Sequence, residues 1–164
     1  MPRLIACGSR SDAYDSFCTA IRQAGANDFC VLLVDSEGPL TGRSPWTHLH
    51  TQDQWAKPAG VDDEHAQLMV QCMEAWFLAD RESLAQFFGQ DFRLNALPGR
   101  TDVENVAKAD LYVAIKNATR QAAPKGPYEK GRHAFELLAR IDPKKVQDAS
   151  PQARRLVETL KLRG

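Results

Sequence analysis

Two apolar runs in the chain each end on acids. Val31-Leu32-Leu33-Val34 leads into Asp35-Ser36-Glu37-Gly38, and Met69-Val70-Gln71-Cys72-Met73 leads into Glu74. An apolar stretch of strand length that stops at carboxylates reads as a buried strand whose carboxyl end opens onto a crevice, where open α/β sheets place their ligand sites. Ahead of the first run, Arg3 to Cys7 predicts a short strand closed by Gly8-Ser9-Arg10-Ser11-Asp12. Ala13 to Gly25 then sets Phe17, Ala20, Ile21 and Ala24 at helical spacing, with Gly25 placed to cap the helix. Phe29 to Val34 is continuously apolar, the pattern of a strand covered on both faces. Strand, helix, strand at this spacing predicts a right-handed parallel βαβ unit. It would bring Gly8 through Arg10 to the sheet edge that carries Asp35 and Glu37.

From Pro39 to about Glu64 no period persists, which predicts a long loop of the kind that is usually functional. Its tryptophans, Trp46 and Trp55, argue against simple disorder. His65 to Gln71 predicts a third strand, and Met73 to Phe88 a helix ended by Gly89. At 100° per residue Glu74 shares a face with Phe77, Leu78, Ala85 and Phe88, so it sits on the apolar side of the first turn. A carboxylate there costs several kcal/mol unless it is paired or binds metal, and a helix N-terminus compensates only part of that. Thr101-Asp102-Val103-Glu104 is a capping-box sequence that predicts a helix running through Arg120. Ala122 to Tyr128, with Pro124, Gly126 and Pro127, predicts a linker or lid. Lys130 to Ala139 predicts another helix, Asp142-Pro143 breaks it, and Ser150-Pro151 opens the last one. The succession predicts a single compact α/β domain over residues 1–164, with a mostly parallel central sheet flanked by helices. Residues 1–100 would form the sheet core, including the 39–64 loop, and residues 101–164 a mainly helical part.

Length agrees with that reading, because 164 residues suffice for one full core. A chain with 43% hydrophobic and 26% charged residues belongs to the globular class. No run approaches the roughly 18 apolar residues of a membrane span, and the start turns polar too soon for a signal peptide. Cys7, Cys18, Cys30 and Cys72 form no CxxC pair; buried free thiols and a reducing cytoplasm are the expectation. Net charge is zero but unevenly spread. Residues 1–119 hold 10 Lys+Arg against 16 Asp+Glu, and residues 120–164 hold 11 against 5. A basic C-terminal part beside acidic residues suits a phosphodiester substrate, and equally suits basic helices docked on an acidic body.

Asp35 and Glu37, two apart on an extended strand end, would project to one side. With Glu74 they form a candidate metal set for one or two Mg²⁺ ions, or Mn²⁺, of the kind that clamps the oxygens of a phosphoryl displacement. Asp35-Ser36-Glu37-Gly38 also fits a plain turn. Gly8 and Ser9 are candidate substrate contacts, since the N–H groups of a turn before a helix cradle anions and Arg10 would add a fork of donors. A simple strand-to-helix turn accounts for them too, and no GxGxxG or Walker pattern follows. His48, His50 and His65 lack further ligands for tetrahedral zinc and read as loop histidines. Trp46 is a candidate base-stacking platform or a core cover. Lys57, Lys108 and Lys130 are candidate phosphate contacts or solvated charges.

Three blocks, CGSRSDAYDSF at 7–17, HAQLMVQCMEAWFLADRESLAQFFG at 65–89 and YEKGRHAFELLARIDP at 128–143, resemble a bacterial family. It is the domain of unknown function numbered 4276, placed near the Toprim fold. The resemblance implies a Toprim-like α/β domain in which Asp35 and Glu37 stand for the DxD motif that holds Mg²⁺. Glu74 is then a further acid, and Lys130 heads the third block. It implies a Mg²⁺-dependent nuclease or phosphotransferase acting on nucleic acid, with Glu74, Arg10 and Lys130 as the catalytic candidates. The expected setting is phage defence beside an ABC- or SMC-type ATPase, and a homo-oligomer is compatible with it. Toprim catalysis uses a glutamate after the first strand, where this chain has Gly8-Ser9-Arg10. The alternative is therefore a non-catalytic subunit that binds nucleic acid or an ATPase partner.

Overall fold

The two runs that end in acids form strands and pair with each other. In the computed structural model, which describes residues 3–99 and 101–163, β1 (Leu32–Asp35) lies parallel to β2 (Ala66–Met69). Leu32 sits opposite Ala66 and Asp35 opposite Met69. A second, antiparallel ladder joins β3 (Gly89–Gln90) to β4 (Ala123–Pro124), the latter within the segment expected to be a linker or lid. The protein is thus a mixed α/β structure in which helices dominate and the parallel sheet, among the described residues, has two strands.

The expected first strand is not formed. Arg3 to Cys7 has no ladder partner, and Leu4 and Ile5 are 92% and 63% exposed. Two apolar side chains on a short segment bury too little to hold a strand without a neighbour. Cys7 and Cys30 therefore lie outside strands and are half-buried; Cys72 is fully buried, and all four thiols are free. The parallel crossover instead runs from β1 through α2 (Pro45–Asp53) to β2, so a helix occupies the centre of the expected long loop. Its N-terminus is well specified, with Ser44 accepting from the Thr47 N–H and Pro45 opening the first turn. Periodicity misses it because nine residues make few turns and one of its buried positions is His48.

α1 (Arg10–Gln23) covers most of the expected helix but starts three residues earlier, at the Ser9 cap, and is closed at Ala24 rather than on Gly25; it packs Phe17 towards β1. In β1 burial alternates, with Leu32 and Val34 buried and Leu33 and Asp35 half-buried, so one face of the strand is only partly covered. Phe17, Leu32, Val34, Trp46, Leu49 and Leu68 form one apolar cluster around the sheet. A larger helical cluster includes Phe77, Leu84, Phe88, Leu111, Ile115 and Leu137. It is built from α3 (Glu74–Phe77), α4 (Arg81–Phe88), α5 (Lys108–Thr119), α6 (Lys130–Leu138), α7 (Pro143–Ala149) and α8 (Pro151–Arg163). α8 also packs against β2 and so joins the two clusters.

The helix expected over 73–88 is broken in two at Asp80. This residue is 2% exposed, caps α4 by accepting from Ser83, and accepts the Asp142 N–H and the Lys145 ammonium from the turn into α7. An aspartate side chain that competes for backbone N–H groups favours a cap over a helix interior. The predicted capping box likewise yields a single 3-10 turn, Val103–Asn105, capped by Asp102 rather than Thr101, and α5 starts only at Lys108. No helix among the described residues is long and apolar enough to cross a membrane.

Leu4→Ala should change stability in urea by less than about 0.5 kcal/mol, whereas Phe77→Ala, which empties a fully buried site, should cost about 3–5 kcal/mol. Burial opposes ionisation of Asp80, but Lys145, Ser83 and the Asp142 N–H outweigh it and hold its carboxyl down at about 2. Because that value lies below the unfolded one, the contribution is complete above about pH 4 and is lost as pH falls towards 2. Asp80→Asn, which keeps the cap, should lose on the order of 2 kcal/mol at pH 7 and flatten the acid limb of the stability curve.

Candidate functional site

Asp35 is the last residue of β1, and Glu74 opens α3 five positions beyond the end of β2. Both therefore lie past the carboxyl ends of the parallel strands, the side on which open α/β sheets place their ligands. Asp35 Oδ1 accepts the Met73 N–H at 2.8 Å, which pins the end of the sheet to the start of α3. Lys130, the first residue of α6, places its Nζ 3.5 Å from Asp35 Oδ2 and 3.5 Å from Glu74 Oε1. Tyr128 donates its hydroxyl to Glu74 Oε1 at 2.9 Å, and Lys130 reaches the Tyr112 hydroxyl at 3.4 Å.

Glu74 has no exposed surface. Its second oxygen, Oε2, is buried without a hydrogen-bond partner. Tyr112 and Cys72 lie close enough to feel its charge, yet neither closes a bond of normal geometry on that oxygen. Because α3 has only four residues, its dipole adds little, and the partial compensation expected from a long helix is not available.

The surrounding groups register this charge. Burial, then the negative charges of Glu74 and Asp35, push the Cys72 thiol up to about 12. Burial and Glu74 also raise the Tyr128 and Tyr112 hydroxyls. Burial by itself would lower the Lys130 ammonium, but Glu74 and Asp35 outweigh it and hold it above the ordinary lysine range. Burial raises the Asp35 carboxyl, opposed by Lys130 and the Met73 N–H.

Both strands leave the sheet through left-handed residues that are not glycine: Glu37 at φ 63° and Gln71 at φ 64°. Ser36 ties the two exits together. Its N–H donates to Met69 O, its hydroxyl donates to Gly38 O and accepts the Gln71 N–H, and its carbonyl meets His48 Nε2 at 2.8 Å. His48 is thus a buried strut on α2 rather than a loop histidine.

The turn at residue 37 separates the expected DxE pair. Asp35 faces Lys130, whereas Glu37 is paired with Lys108 at the start of α5. The structure therefore gathers Asp35, Glu74 and Lys130, and sets Glu37 and Lys108 together as a second ion pair. The remaining expected residues are engaged in packing and capping. Gly8 lies in a turn where an added Cβ would stand 3.3 Å from Asp12, and Ser9 caps α1. Arg10 pairs with Asp53 and lies over the Trp55 ring rather than among the carboxylates. Trp46 is 4% exposed and donates Nε1 to Asp62 O, so nearly all of its ring fills core. Lys57 and Trp46 line one shallow depression with Ser44, His50 and Trp55, which none of the three central residues borders.

Among the described residues no three His, Cys, Asp or Glu side chains are gathered as a ready-made metal site. Asp35 and Glu74 still fit a more modest requirement. Mg²⁺ commonly takes one or two carboxylates and completes its shell with water and substrate phosphate. The observation that makes this fit concrete is the buried Oε2, which closes no hydrogen bond of normal geometry and has only the Tyr112 hydroxyl and the Cys72 thiol as nearby donors. A two-ion clamp would need Glu37, which Lys108 holds.

A family model described as "Domain of unknown function (DUF4276)" matches residues 5–161. The chain belongs to this family. No curated protein and no solved structure matches it. In this DUF4276 chain the second and third resembling blocks supply Glu74, Tyr128 and Lys130, which meet in space. Tyr128, Tyr112 and Cys72 are the site residues that sequence reasoning missed. A phenol two positions before Lys130 at the head of the third block was the available sign.

Tyr128→Phe removes the one close hydrogen bond to Glu74. It should cost about 1.5–3 kcal/mol in urea unfolding, the range for a bond to a charged group, and an unchanged midpoint would contradict this account of Glu74.

Proposed function

We propose that the crevice handles phosphodiesters: a Mg²⁺-dependent nuclease or phosphotransferase that acts on nucleic acid, built on a Toprim-like plan and working in the cytoplasm. The observation that carries this reading is the fully buried Glu74, whose Oε2 has no partner while its other oxygen shares the Lys130 ammonium with Asp35. Asp35 and Glu74 would hold the cation. Bound Mg²⁺ would supply charge neutralisation at the phosphate and a more acidic water. Tyr128 fixes the orientation of Glu74, and the Met73 N–H fixes that of Asp35. Lys130, with half of its side chain exposed, and Lys108 offer positive charge to the phosphate. Arg10, paired with Asp53, has no part in this mechanism.

The test is cleavage of single- and double-stranded DNA and RNA with Mg²⁺, Mn²⁺ or EDTA. Activity should require the divalent ion and fall by about 10²-fold or more in Asp35→Asn and Glu74→Gln. Cleavage that persists in both variants, or that ignores EDTA, overturns the reading.

A second reading is a non-catalytic subunit that binds nucleic acid or an ABC- or SMC-type ATPase in phage defence. It is favoured by the count of acids: two carboxylates converge, the third is tied to Lys108, and Ser9 and Arg10 are spent on a helix cap and an ion pair. A wild-type protein that binds nucleic acid or such an ATPase, yet cleaves none of the four substrates with either metal, would decide for it.

A further inference from the structure

We propose that Lys130 is a displaceable counter-ion: its ammonium and a divalent cation compete for the position between Asp35 and Glu74, so metal entry expels the amine towards the substrate side of the crevice. This rests on the metal-binding reading above and goes beyond it by assigning the lysine a switching role.

The argument starts from geometry. Nζ stands 3.5 Å from one oxygen of each carboxylate, so it bridges them without a short hydrogen bond to either. A hard cation bound to the same two acids would lie about 2.0–2.1 Å from their oxygens, inside the gap that the ammonium spans. Two cations cannot share that gap, because at such separations their repulsion in a half-buried site is large. The acids, by contrast, are fixed. Asp35 is held by the Met73 N–H, and Glu74 is fully buried and held by Tyr128. Lys130 is the member able to move, since its side chain is 50% exposed and its remaining polar contact, to Tyr112, is long at 3.4 Å.

The electrostatics point the same way. The ammonium sits 3.5 Å from an oxygen of each acid, so their two negative charges are what draw it into the gap. A divalent ion placed on those acids cancels the attraction that keeps the amine in place. The charge that leaves the carboxylates then becomes available to an incoming phosphate, so cation loading and anion recognition are coupled through one side chain. Lys130 acts as the counter-ion of the two acids before the metal enters and as a binding residue for the phosphate afterwards, never as both at once.

Mn²⁺ binding, followed by electron paramagnetic resonance and calorimetry on the purified full chain, tests this without any assay of activity. Lys130→Met should bind Mn²⁺ about tenfold or more tightly than wild type, because the competing charge is gone. Glu74→Gln should abolish binding in both backgrounds. In the wild-type protein, acylation of the Lys130 amine, read by mass spectrometry against the exposed Lys116 and Lys161, should become several-fold faster when Mn²⁺ is added. This second measurement decides the matter if Lys130→Met fails to fold. Equal or weaker Mn²⁺ binding by Lys130→Met, or an acylation rate that Mn²⁺ leaves unchanged while it binds, overturns the counter-ion role and leaves the metal site standing. Absence of Mn²⁺ binding in every protein at millimolar metal overturns both.

Discussion

Taking the Glu74 carboxylate out of water costs several kcal/mol unless opposite charge and hydrogen bonds replace the lost hydration, and the structure around it is arranged to meet that requirement. Tyr128 supplies one donor, and Lys130 supplies the charge while also serving Asp35. Those contacts fasten the carboxyl end of β1, the start of α3 and the start of α6 to one another. The sheet cluster and the helical cluster thus meet at a polar joint here, in addition to the packing of α8 against β2. Compensation is incomplete, since one oxygen of the buried carboxylate stays without a hydrogen-bond partner.

The pair of strand exits beneath Lys130 is a separate constraint. Side chains bulkier than glycine resist the left-handed region, yet Glu37 and Gln71 both occupy it. Each is held there by neighbours: Ser36 bonds the Gln71 N–H, Gln71 Oε1 accepts the Lys108 N–H, and Lys108 pairs with Glu37. The cycle runs through both strand exits and the start of α5. It explains why the two acids of the Asp35–Glu37 pair part company, for the backbone turn sends the second one to a different lysine. It also makes these exits rigid relative to Lys130, which hangs over them from α6 by a half-exposed side chain.

Glu74 was legible in the sequence because an acid on an apolar helical face contradicts its surroundings, and that contradiction does not depend on the exact helix bounds. Lys130 was legible as a phosphate candidate but not as the partner of Asp35 and Glu74, since nothing local links residues so far apart. Periodicity found α1, β1, β2 and most C-terminal helices, where apolar side chains recur over several turns. It failed at Arg3 to Cys7, where apolar residues had no neighbour to pair with, and at α2, where a buried histidine interrupts the pattern. Asp80 broke a helix that its apolar flanks seemed to continue, because its partners Asp142 and Lys145 come from beyond position 140. Local pattern reports local structure; long-range polar bonds override it where a charge must be satisfied.

The close hydrogen bond on Glu74 comes from a tyrosine 54 positions further along the chain. Synthesis runs in one direction, so the acids of the crevice leave the ribosome well before the phenol and the ammonium that neutralise them. Until α6 has emerged, α3 can pack only by burying a bare carboxylate, which is unfavourable. Closure of the helical cluster around α3 is thereby coupled to the third resembling block, which carries the phenol and the ammonium that Glu74 requires.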